Sequence, residues 1–285
     1  MYQEIISFIK KYQKFLLIFI FMILSLVILY FCQTPDGLLH IIFYDVGEGD
    51  GILIKTPTGE VVLIDGGPNE QIIYSISNDL SIFKREIDVG IVSHPHADHL
   101  IGFIEVFRRF YFKSIFINDL EYQTSEVEAL KDELGKNDKI SKELVAGQNI
   151  QMGEISLRTI WPELDTHCID DINECSIVLR LDYRDFCVYF MGDVNNEVQG
   201  EMRNLKQCEI VKIAHQGSKN AIDESFIKKV MPKIGIISVG KNNYGHPYPE
   251  TLKLLELNKI KIFRTDEFGD IEIISDGKKY YILNR

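Results

Sequence analysis

The hydrophobic positions of the sequence follow two patterns, which predict two kinds of structure. Residues 15–32 form one continuous apolar run in which Ser25 is the only polar side chain of note. As a helix rising 1.5 Å per residue, the run would span about 27 Å, enough for the hydrocarbon core of a bilayer. After residue 37 the apolar positions instead occur in short runs separated by polar, glycine-bearing turns. The chain therefore predicts one transmembrane helix followed by a folded domain.

Charges around the apolar run predict its orientation. Lys10, Lys11 and Lys14 precede the run, whereas no lysine or arginine follows it before Lys55. Positive charge favours the cytoplasmic side, so we expect a single-pass cell-membrane protein whose amino terminus is cytoplasmic. The expected organisation is a tail over 1–14, an anchor over 15–32, a linker over 33–37 and an extracytoplasmic domain over 38–285. A cleaved signal peptide is the alternative, but residues 30–33 offer no small-residue cleavage site.

The short apolar runs after residue 37 alternate between strand and helix periodicity, which is typical of an α/β domain. Strands are predicted over residues 39–46, 51–55, 61–64, 87–92, 112–117, 155–161, 175–181, 186–191, 209–214 and 234–239. Helices are predicted over residues 71–83, 100–107, 124–134 and 250–257. Several of these strands lead directly into turns that carry histidine, aspartate or glycine.

The turn after the strand 87–92 holds four potential metal ligands within six residues. These are His94, His96, Asp98 and His99. So short a loop cannot bring all four to one ion, so we expect His94 and His96 on one ion and Asp98 with His99 on a second, about 3.5–4 Å away. Imidazole and carboxylate suit zinc, with manganese as the alternative. A polar turn that happens to collect histidines is a weaker explanation, because the chain has only seven histidines.

Three later strands predict the remainder of the site. The strand 186–191 leads into Gly192 and Asp193, and we expect Asp193 to bridge both ions. The strand 209–214 delivers His215, the expected remaining ligand of the second ion. The strand 234–239 leads into a glycine-rich loop suited to binding an anionic group. Its candidate residues are Lys241, Asn242 and His246.

Acidic residues in the early turns are weaker candidates. Asp65 ends a strand before two glycines, where it could accept hydrogen bonds from neighbouring loops and orient a metal ligand. Asp50 lies in a tight turn with Asp45. Ordinary turn chemistry explains such residues equally well, and for Asp45 it is the preferred explanation.

Composition limits the partners of the domain. The chain has a net charge of −11, and its first 32 residues carry three lysines and one glutamate, so the remainder carries −13. Such a surface does not attract polyanions at long range. The five cysteines show no paired spacing and lie partly in strand-like runs, so we expect core residues and no disulfide framework. They are Cys32, Cys168, Cys175, Cys187 and Cys208.

The motifs together resemble those of the metallo-β-lactamase fold superfamily. The residues that carry this resemblance are the stretch 94–99, Gly192-Asp193 and the strand-end His215. More narrowly, residues 43–50, 63–67, 173–176, 215–218 and 244–247 resemble the extracellular hydrolase domain of the ComEC DNA-uptake proteins, a subgroup shared with choline-phosphate esterases. The resemblance implies a four-layer αβ/βα sandwich with a dinuclear site on its rim, preceded here by one transmembrane helix.

Two positions depart from the common superfamily pattern. Asn173 stands where most members carry a third-motif histidine, although the ComEC-like branch also has asparagine there. Gln216 stands where the subgroup often has a second histidine, so protonation of a leaving group would pass to His246 or to water. Asn173, Ser176 and Gln216 are therefore expected near ligands or substrate, without a direct ligand role.

The resemblance and the residues predict a membrane-anchored, extracytoplasmic metal-dependent hydrolase. Two divalent ions would share and activate a water, which Asp98 and Asp193 would orient, while His246 and Lys241 would meet the substrate. The expected substrate is a phosphodiester, either nucleic acid or a choline-phosphate-like compound. A lactonase, lactamase or thioester hydrolase is the alternative enzyme. A metal-stabilised binding domain without activity is disfavoured, because structural zinc sites are normally closed by four ligands.

Overall fold

The computed structural model describes residues 2–32, 34–80, 84–118, 121–137, 141–166 and 171–285. The chain forms two compact units, residues 1–36 and residues 37–285. The first unit is built on helix α1, Tyr2–Cys32. Its window Lys11–Ile28 has a mean hydropathy of 1.9, so α1 is long and apolar enough to cross a membrane. The predicted apolar run lies inside α1, which begins 13 residues earlier, at Tyr2.

The second unit contains two mixed sheets of seven strands each. The first sheet has the order β14-β13-β1-β2-β3-β4-β5 and the second β12-β11-β10-β9-β8-β7-β6. The strands of the first sheet are β1 Leu39–Phe43, β2 Ile52–Lys55, β3 Val61–Ile64, β4 Glu86–Val92, β5 Tyr111–Ile117, β13 Ile271–Ser275 and β14 Tyr280–Asn284. Those of the second are β6 Asn149–Met152, β7 Ile155–Trp161, β8 Val178–Tyr183, β9 Phe186–Phe190, β10 Ile210–Lys212, β11 Ile234–Ile237 and β12 Lys261–Arg264.

Helices cover the outer faces of both sheets. They are α2 Ile72–Asp79, α3 Ala97–Phe107, α4 Ser125–Lys136, α5 Asn196–Glu201, α6 Glu224–Val230, α7 Pro249–Leu257 and α8 Thr265–Phe268, with 3₁₀ turns at Ile172–Cys175 and His215–Gly217. One core of alternate strand residues lies between the sheets. A second packs the first sheet against α2, α3 and α4, and a third packs the second sheet against α5, α6 and α7. The predicted four-layer sandwich is confirmed.

Strand direction explains why the polar turns meet. Strands β3, β4 and β5 are mutually parallel, and so are β9, β10, β11 and β12. The carboxyl ends of parallel neighbours emerge at one edge of a sheet, where ligand sites of α/β folds commonly lie. The turns after β3 and β4 therefore share one edge of the first sheet, and the turns after β9, β10 and β11 share one edge of the second.

Several elements escaped the sequence-based prediction. Strand β13 pairs with β1 and with β14, so the C-terminal hairpin completes the first sheet. Strands β6 and β12 and helices α5 and α6 were also not predicted. Helix α2 ends at Asp79, and the expected continuation to residue 83 lies partly outside the described residues. Helix α7 begins with Pro249.

The expectation for the cysteines is wrong for the second sheet. Cys187 and Cys208 form a disulfide with a Cα–Cα distance of 5.6 Å, and Cys175 is also disulfide-bonded. The two cysteines come together only through the tertiary structure. Parallel pairing of Val188 with Ile210 brings the start of β9 beside the residues that precede β10. The spacing of the two cysteines along the sequence does not predict that they pair. Cys168 lies outside the described residues.

Candidate metal centre

The histidine-rich turn joins a buried strand to a helix. Strand β4 ends at Val92, His96 is the extended N-cap of α3, and Asp98 and His99 lie in the first turn of that helix. The turn brings the ring nitrogens together: His94 Nε2 lies 3.0 Å from His96 Nδ1. The ring centroids of His94 and His99 are 4.2 Å apart. One turn therefore supplies four closely spaced donor groups.

Asp193 brings the second sheet into this cluster. Its Oδ2 lies 3.3 Å from His99 Nε2, 3.9 Å from His94 Nε2 and 3.9 Å from His215 Nε2. Asp98 Oδ2 lies 3.6 Å from His99 Nε2. The structure thus brings together all six residues that the sequence proposed as ligands, with the Asp193 carboxylate between histidines of different loops.

Two buried polar atoms of the cluster lack hydrogen-bond partners among the described residues, which bears on whether a metal ion fits there. His99 Nε2 and Asp193 Oδ1 are buried and accept or donate no hydrogen bond within the described part of the chain. Native proteins rarely leave such atoms unpaired unless an ion, water or chemistry explains them. One donor atom each from His94, His99 and Asp193 falls within a mutual distance of 4.8 Å. Imidazole and carboxylate donors at this spacing fit divalent metal ions.

The charges in the cluster stabilise one another. Burial alone would raise the pKa of Asp193, but His99, His94 and His215 outweigh burial and hold that pKa well below its usual range. Burial would lower the pKa of His99, whereas the carboxylates of Asp193, Asp98 and Asp65 raise it well above its usual range. Without an ion, the acids and histidines compensate each other. Metal binding would replace the protons on the histidines.

Asp65 fixes the orientation of His99. Its Oδ2 lies 2.9 Å from His99 Nδ1, and its two oxygens accept hydrogen bonds from the backbone N–H and the hydroxyl of Ser93 at 2.7 Å. A ligating histidine whose second nitrogen meets a carboxylate is a common arrangement around metals. Sequence reasoning missed Ser93, although it directly precedes the first histidine of the motif.

A buried ion pair lies beneath the cluster. The ammonium of Lys212 contacts Asp50 Oδ2 and donates to the Gly192 carbonyl at 3.3 Å. Burial raises the pKa of Asp50 to about 6, although the positive charge of Lys212 opposes this rise. Lys212 was missed because it lies inside the apolar run of β10. The sequence did offer a signal, because a lysine is rarely buried without a partner and this one lies in a strand that is otherwise apolar.

Two residues predicted near the ligands hold them in place. Gln216 Nε2 donates to Asp98 Oδ2 at 3.0 Å, and Ser176 Oγ accepts from the backbone N–H of Asp193 at 3.2 Å. His215 and Gln216 have φ values of 44° and 48°, a left-handed conformation that non-glycine residues rarely adopt. Asn173 lies in the 3₁₀ turn before β8, and its buried Oδ1 has no hydrogen-bond partner among the described residues.

The side chain of Asn242 holds the glycine-rich loop after β11 in place. Asn242 donates to the carbonyls of Gly240 and His246, and its Oδ1 accepts from three backbone N–H groups of residues 244–246. Both ends of its amide therefore stabilise the loop, and the expected contact of Asn242 with substrate stays a prediction. Lys241 is exposed, and its ammonium makes no ion pair with any residue that the structure describes.

His246 faces the cluster together with a glutamate that sequence reasoning missed. Its ring lies 5.4 Å from the ring of His215, and its Nδ1 lies 3.5 Å from Glu48 Oε1. Burial, and then the charges of Asp98 and Asp193, raise the pKa of Glu48 to about 7. The sequence did offer a signal for Glu48, because this carboxylate stands between Gly47 and Gly49 in the turn after β1. His246 and Glu48 thus form a pair of titratable side chains beside His215.

Comparisons with known proteins agree with this geometry. The family described as the metallo-beta-lactamase superfamily matches residues 44–241, which include the six candidate ligands. ComE operon protein 3 of Bacillus subtilis (strain 168) is 27% identical over 276 residues, covering 88% of this chain. These residues correspond to 34% of that relative, so the chain spans about a third of its length.

Solved structures share the fold at low sequence identity. The metallo-beta-lactamase fold protein YhfI from Bacillus subtilis has a TM-score of 0.55 at 10% identity, covering 83% of this chain and 99% of that one. CmlA, a diiron β-hydroxylase from Streptomyces venezuelae, has a TM-score of 0.50 at 11% identity, covering 88% of this chain and 55% of that one. Since the family match covers more than half of the sequence and includes every candidate ligand, the chain belongs to the metallo-β-lactamase superfamily.

Proposed function

We propose that the domain is a metal-dependent phosphodiester hydrolase of the ComEC-like type, anchored by α1 and facing the outside of the cell. The observation that carries this proposal is the convergence of His94, His99, Asp193 and His215, which come from two sheets, with buried donor atoms left unpaired. The motif resemblance to the ComEC-like hydrolase domain favours phosphodiesters over other hydrolase substrates, and the 27% identity to ComE operon protein 3 agrees with that resemblance.

Six residues would hold two divalent ions at this site. They are His94, His96, Asp98, His99, Asp193 and His215. When bound, such ions act as Lewis acids and lower the pKa of a coordinated water, which provides a hydrolytic nucleophile at neutral pH. Zinc fits the donor set best, and manganese is the alternative. Asp65 would keep His99 oriented through its Nδ1, and Gln216 would hold the Asp98 carboxylate in one rotamer.

His246 and Glu48 would provide the proton for the leaving group. Burial, and then the charge of His215, lower the pKa of His246, whereas the pKa of Glu48 is about 7. The two side chains lie 3.5 Å apart between Nδ1 and Oε1, so a proton can be shared between them. A general acid whose pKa lies near the working pH transfers protons most effectively. Gln216 cannot fill this role because an amide does not titrate.

An extracytoplasmic location is supported by features outside the site. Disulfides persist mainly in oxidising compartments, and Cys175, Cys187 and Cys208 are disulfide-bonded. The lysines before the apolar part of α1 favour a cytoplasmic amino terminus. We therefore propose a single-pass membrane protein with residues 38–285 outside.

The net charge of the domain bears on the size of the substrate. The charge of −13 carried by residues after the anchor opposes long nucleic acid and favours a small or zwitterionic phosphodiester. The decisive experiment assays the full-length chain in detergent with zinc or manganese. Its substrates are bis(p-nitrophenyl) phosphate, single-stranded DNA, a choline phosphodiester, a lactone and a β-lactam.

We expect metal-dependent cleavage of phosphodiesters and little turnover of the two acyl substrates. Loss of cleavage after chelation, with recovery on adding metal, would assign activity to the metal site. Preferential turnover of the lactone or lactam would replace the proposal by the acyl-hydrolase alternative. A metal-loaded protein that is inactive on every substrate would leave only the binding-domain alternative.

A further inference from the structure

A row of charged side chains crosses the second sheet away from the candidate metal centre. Arg158 on β7 lies directly opposite Arg180 on β8, and Arg180 lies opposite Tyr189 on β9. Their strand neighbours Leu157, Leu179 and Val188 belong to the core between the sheets. Because side chains alternate between the two faces of a sheet, the row must lie on the outer face of the second sheet.

Two arginines directly opposite each other on neighbouring strands require an explanation. Like charges in this position destabilise a strand pair. Asp182 compensates one of them, since Arg180 Nε and Nη2 lie 2.8 and 2.7 Å from Asp182 Oδ1. Arg158 has no such partner, because its guanidinium forms no ion pair with any residue in the described ranges. One positive charge of the pair is left uncompensated.

The row forms the wall of a cavity of about 190 Å³. We call this cavity the arginine pocket, and its charged lining is Arg158, Arg180, Arg203, Lys206, Asp182 and Glu163. Four cations thus face two carboxylates, one of which is already paired with Arg180. Neither Arg203 nor Lys206 makes an ion pair with another described residue. Arg158, Arg203 and Lys206 are exposed, and Arg203 also borders a neighbouring cavity that is lined by acidic residues. The pocket thus presents three cations without an ion pair among the described residues, in a domain of net charge −13.

The loop that closes the pocket is fixed to the sheet. Tyr189 OH donates to the Lys206 carbonyl at 3.2 Å and accepts from the Lys206 backbone N–H at 3.1 Å. The same hydroxyl also lies 3.2 Å from Arg180 Nη1. Two residues beyond Lys206, the disulfide joins Cys208 to Cys187 on β9. Arg203 and Lys206 are therefore carried by a loop that is held beside the arginine row before any ligand arrives.

We propose that the arginine pocket binds a phosphate group and is separate from the candidate metal centre. Several cations that converge on one cavity match an ion with several acceptor oxygens, and guanidinium groups bind phosphate through paired hydrogen bonds. The pocket lining shares no residue with the candidate metal centre, whose Asp193 follows β9 after the strand has ended at Phe190. The phosphate is either free inorganic phosphate or a phosphate carried by a longer phosphodiester chain.

Binding measurements test this proposal without relying on catalysis. The full-length chain in detergent is treated with a chelator and dialysed, so that the metal centre contributes little to anion binding. Inorganic phosphate and a short single-stranded oligonucleotide without terminal phosphates are then titrated separately by calorimetry. Arg158→Gln and Arg203→Gln are compared with Arg85→Gln, a matched change of an exposed arginine that precedes β4.

We expect Arg158→Gln and Arg203→Gln each to weaken binding at least about tenfold, because a hydrogen bond to a charged group is lost. Arg85→Gln should bind like the wild type, and added salt should weaken binding in both. Binding of inorganic phosphate identifies the free ion as a ligand, and binding of the oligonucleotide alone identifies a chain phosphate. The proposal is overturned if neither probe binds, or if both arginine variants bind as tightly as Arg85→Gln.

The same variants separate this pocket from the proposed enzyme activity. Arg158→Gln should hydrolyse bis(p-nitrophenyl) phosphate at the wild-type rate when metal is restored, because Arg158 lies outside the candidate metal centre. Loss of phosphate binding with normal hydrolysis supports two independent sites. An inactive but phosphate-binding wild type would contradict the proposed function and leave the arginine pocket standing.

Discussion

The two halves of the sandwich supply the candidate metal centre in different ways. The half built on the first sheet delivers His94, His96, Asp98 and His99 from one turn between β4 and α3. The half built on the second sheet delivers Asp193, His215 and His246 from separate turns after β9, β10 and β11. The first group is close in the sequence, whereas the second becomes close only through the parallel order of three strands.

The halves meet through side-chain contacts that cross from one sheet to the other. These contacts are His99 with Asp193, Asp98 with Gln216, Asp50 with Lys212 and Glu48 with His246. In each pair one residue comes from an early loop and the other from a later strand end. The first half therefore carries a motif that is recognisable in the sequence. The second half supplies the residues that contact this motif and the neighbouring early loops, and only the fold brings those residues to the site.

Replacing Asp193 is expected to have the largest effect, because its carboxylate lies between histidines of both groups. Asp193→Ala should remove most of the bound metal and lower activity by more than the roughly 10–100-fold typical of changes around a ligand. Metal content per chain is measured by plasma emission, and activity is measured on bis(p-nitrophenyl) phosphate.

Asp98→Ala is the matched change in the first half. Among the described histidines the Asp98 carboxylate pairs with His99, whereas that of Asp193 pairs with three, so this variant should keep more metal than Asp193→Ala. Equal metal loss in both variants would contradict the assignment of Asp193, and not Asp98, as the carboxylate shared between two ions. Full metal content and turnover in Asp193→Ala would reject the bridging assignment.

His246 tests whether the second half also supplies chemistry beyond metal binding. His246→Ala should lower kcat by about 10²–10⁴, the usual effect of a lost acid–base group, with metal content near wild type. A substrate with a very good leaving group should be affected less, because such a group needs no proton to depart. Rates are compared on p-nitrophenyl and alkyl phosphodiesters.

Two results would change the role of His246. If His246→Ala loses metal, His246 is a metal ligand. The turns after β9, β10 and β11 would then supply three ligands instead of the two proposed, Asp193 and His215. Normal turnover on all substrates would leave His246 as part of the loop before α7. Glu48→Gln is the companion change, since it removes the carboxylate 3.5 Å from His246 Nδ1.

The buried pair of Asp50 and Lys212 tests how strongly the halves are joined. Lys212→Met should lower the free energy of unfolding by about 3–5 kcal/mol, because it leaves the Asp50 carboxylate buried without its partner. The double variant Lys212→Met with Asp50→Leu should recover much of this loss. Urea unfolding of the metal-free proteins provides the measurement. If the double variant is as unstable as the single one, packing and not charge explains the effect.

Local patterning determined much of the fold. Apolar runs placed ten strands, and all ten overlap observed strands. The run 175–181 begins too early, because Cys175 belongs to the 3₁₀ turn before β8. Strands β13 and β14 and helix α6 were missed because short, mixed segments owe their structure to neighbours. The C-terminal hairpin forms a sheet edge only because β1 lies beside it.

The sequence alone determined the family motifs, the apolar helix and the identity of the histidine-rich turn, because these depend on residues within one turn or one helix of each other. The tertiary structure decided the rest. It paired Cys187 with Cys208, buried Lys212 against Asp50, turned Asn242 into a loop stabiliser and placed Glu48 beside His246. Apart from Asn242, whose hydrogen bonds stay within its own loop, each of these contacts joins residues that are distant in the sequence, so it depends on which strands become neighbours in the fold.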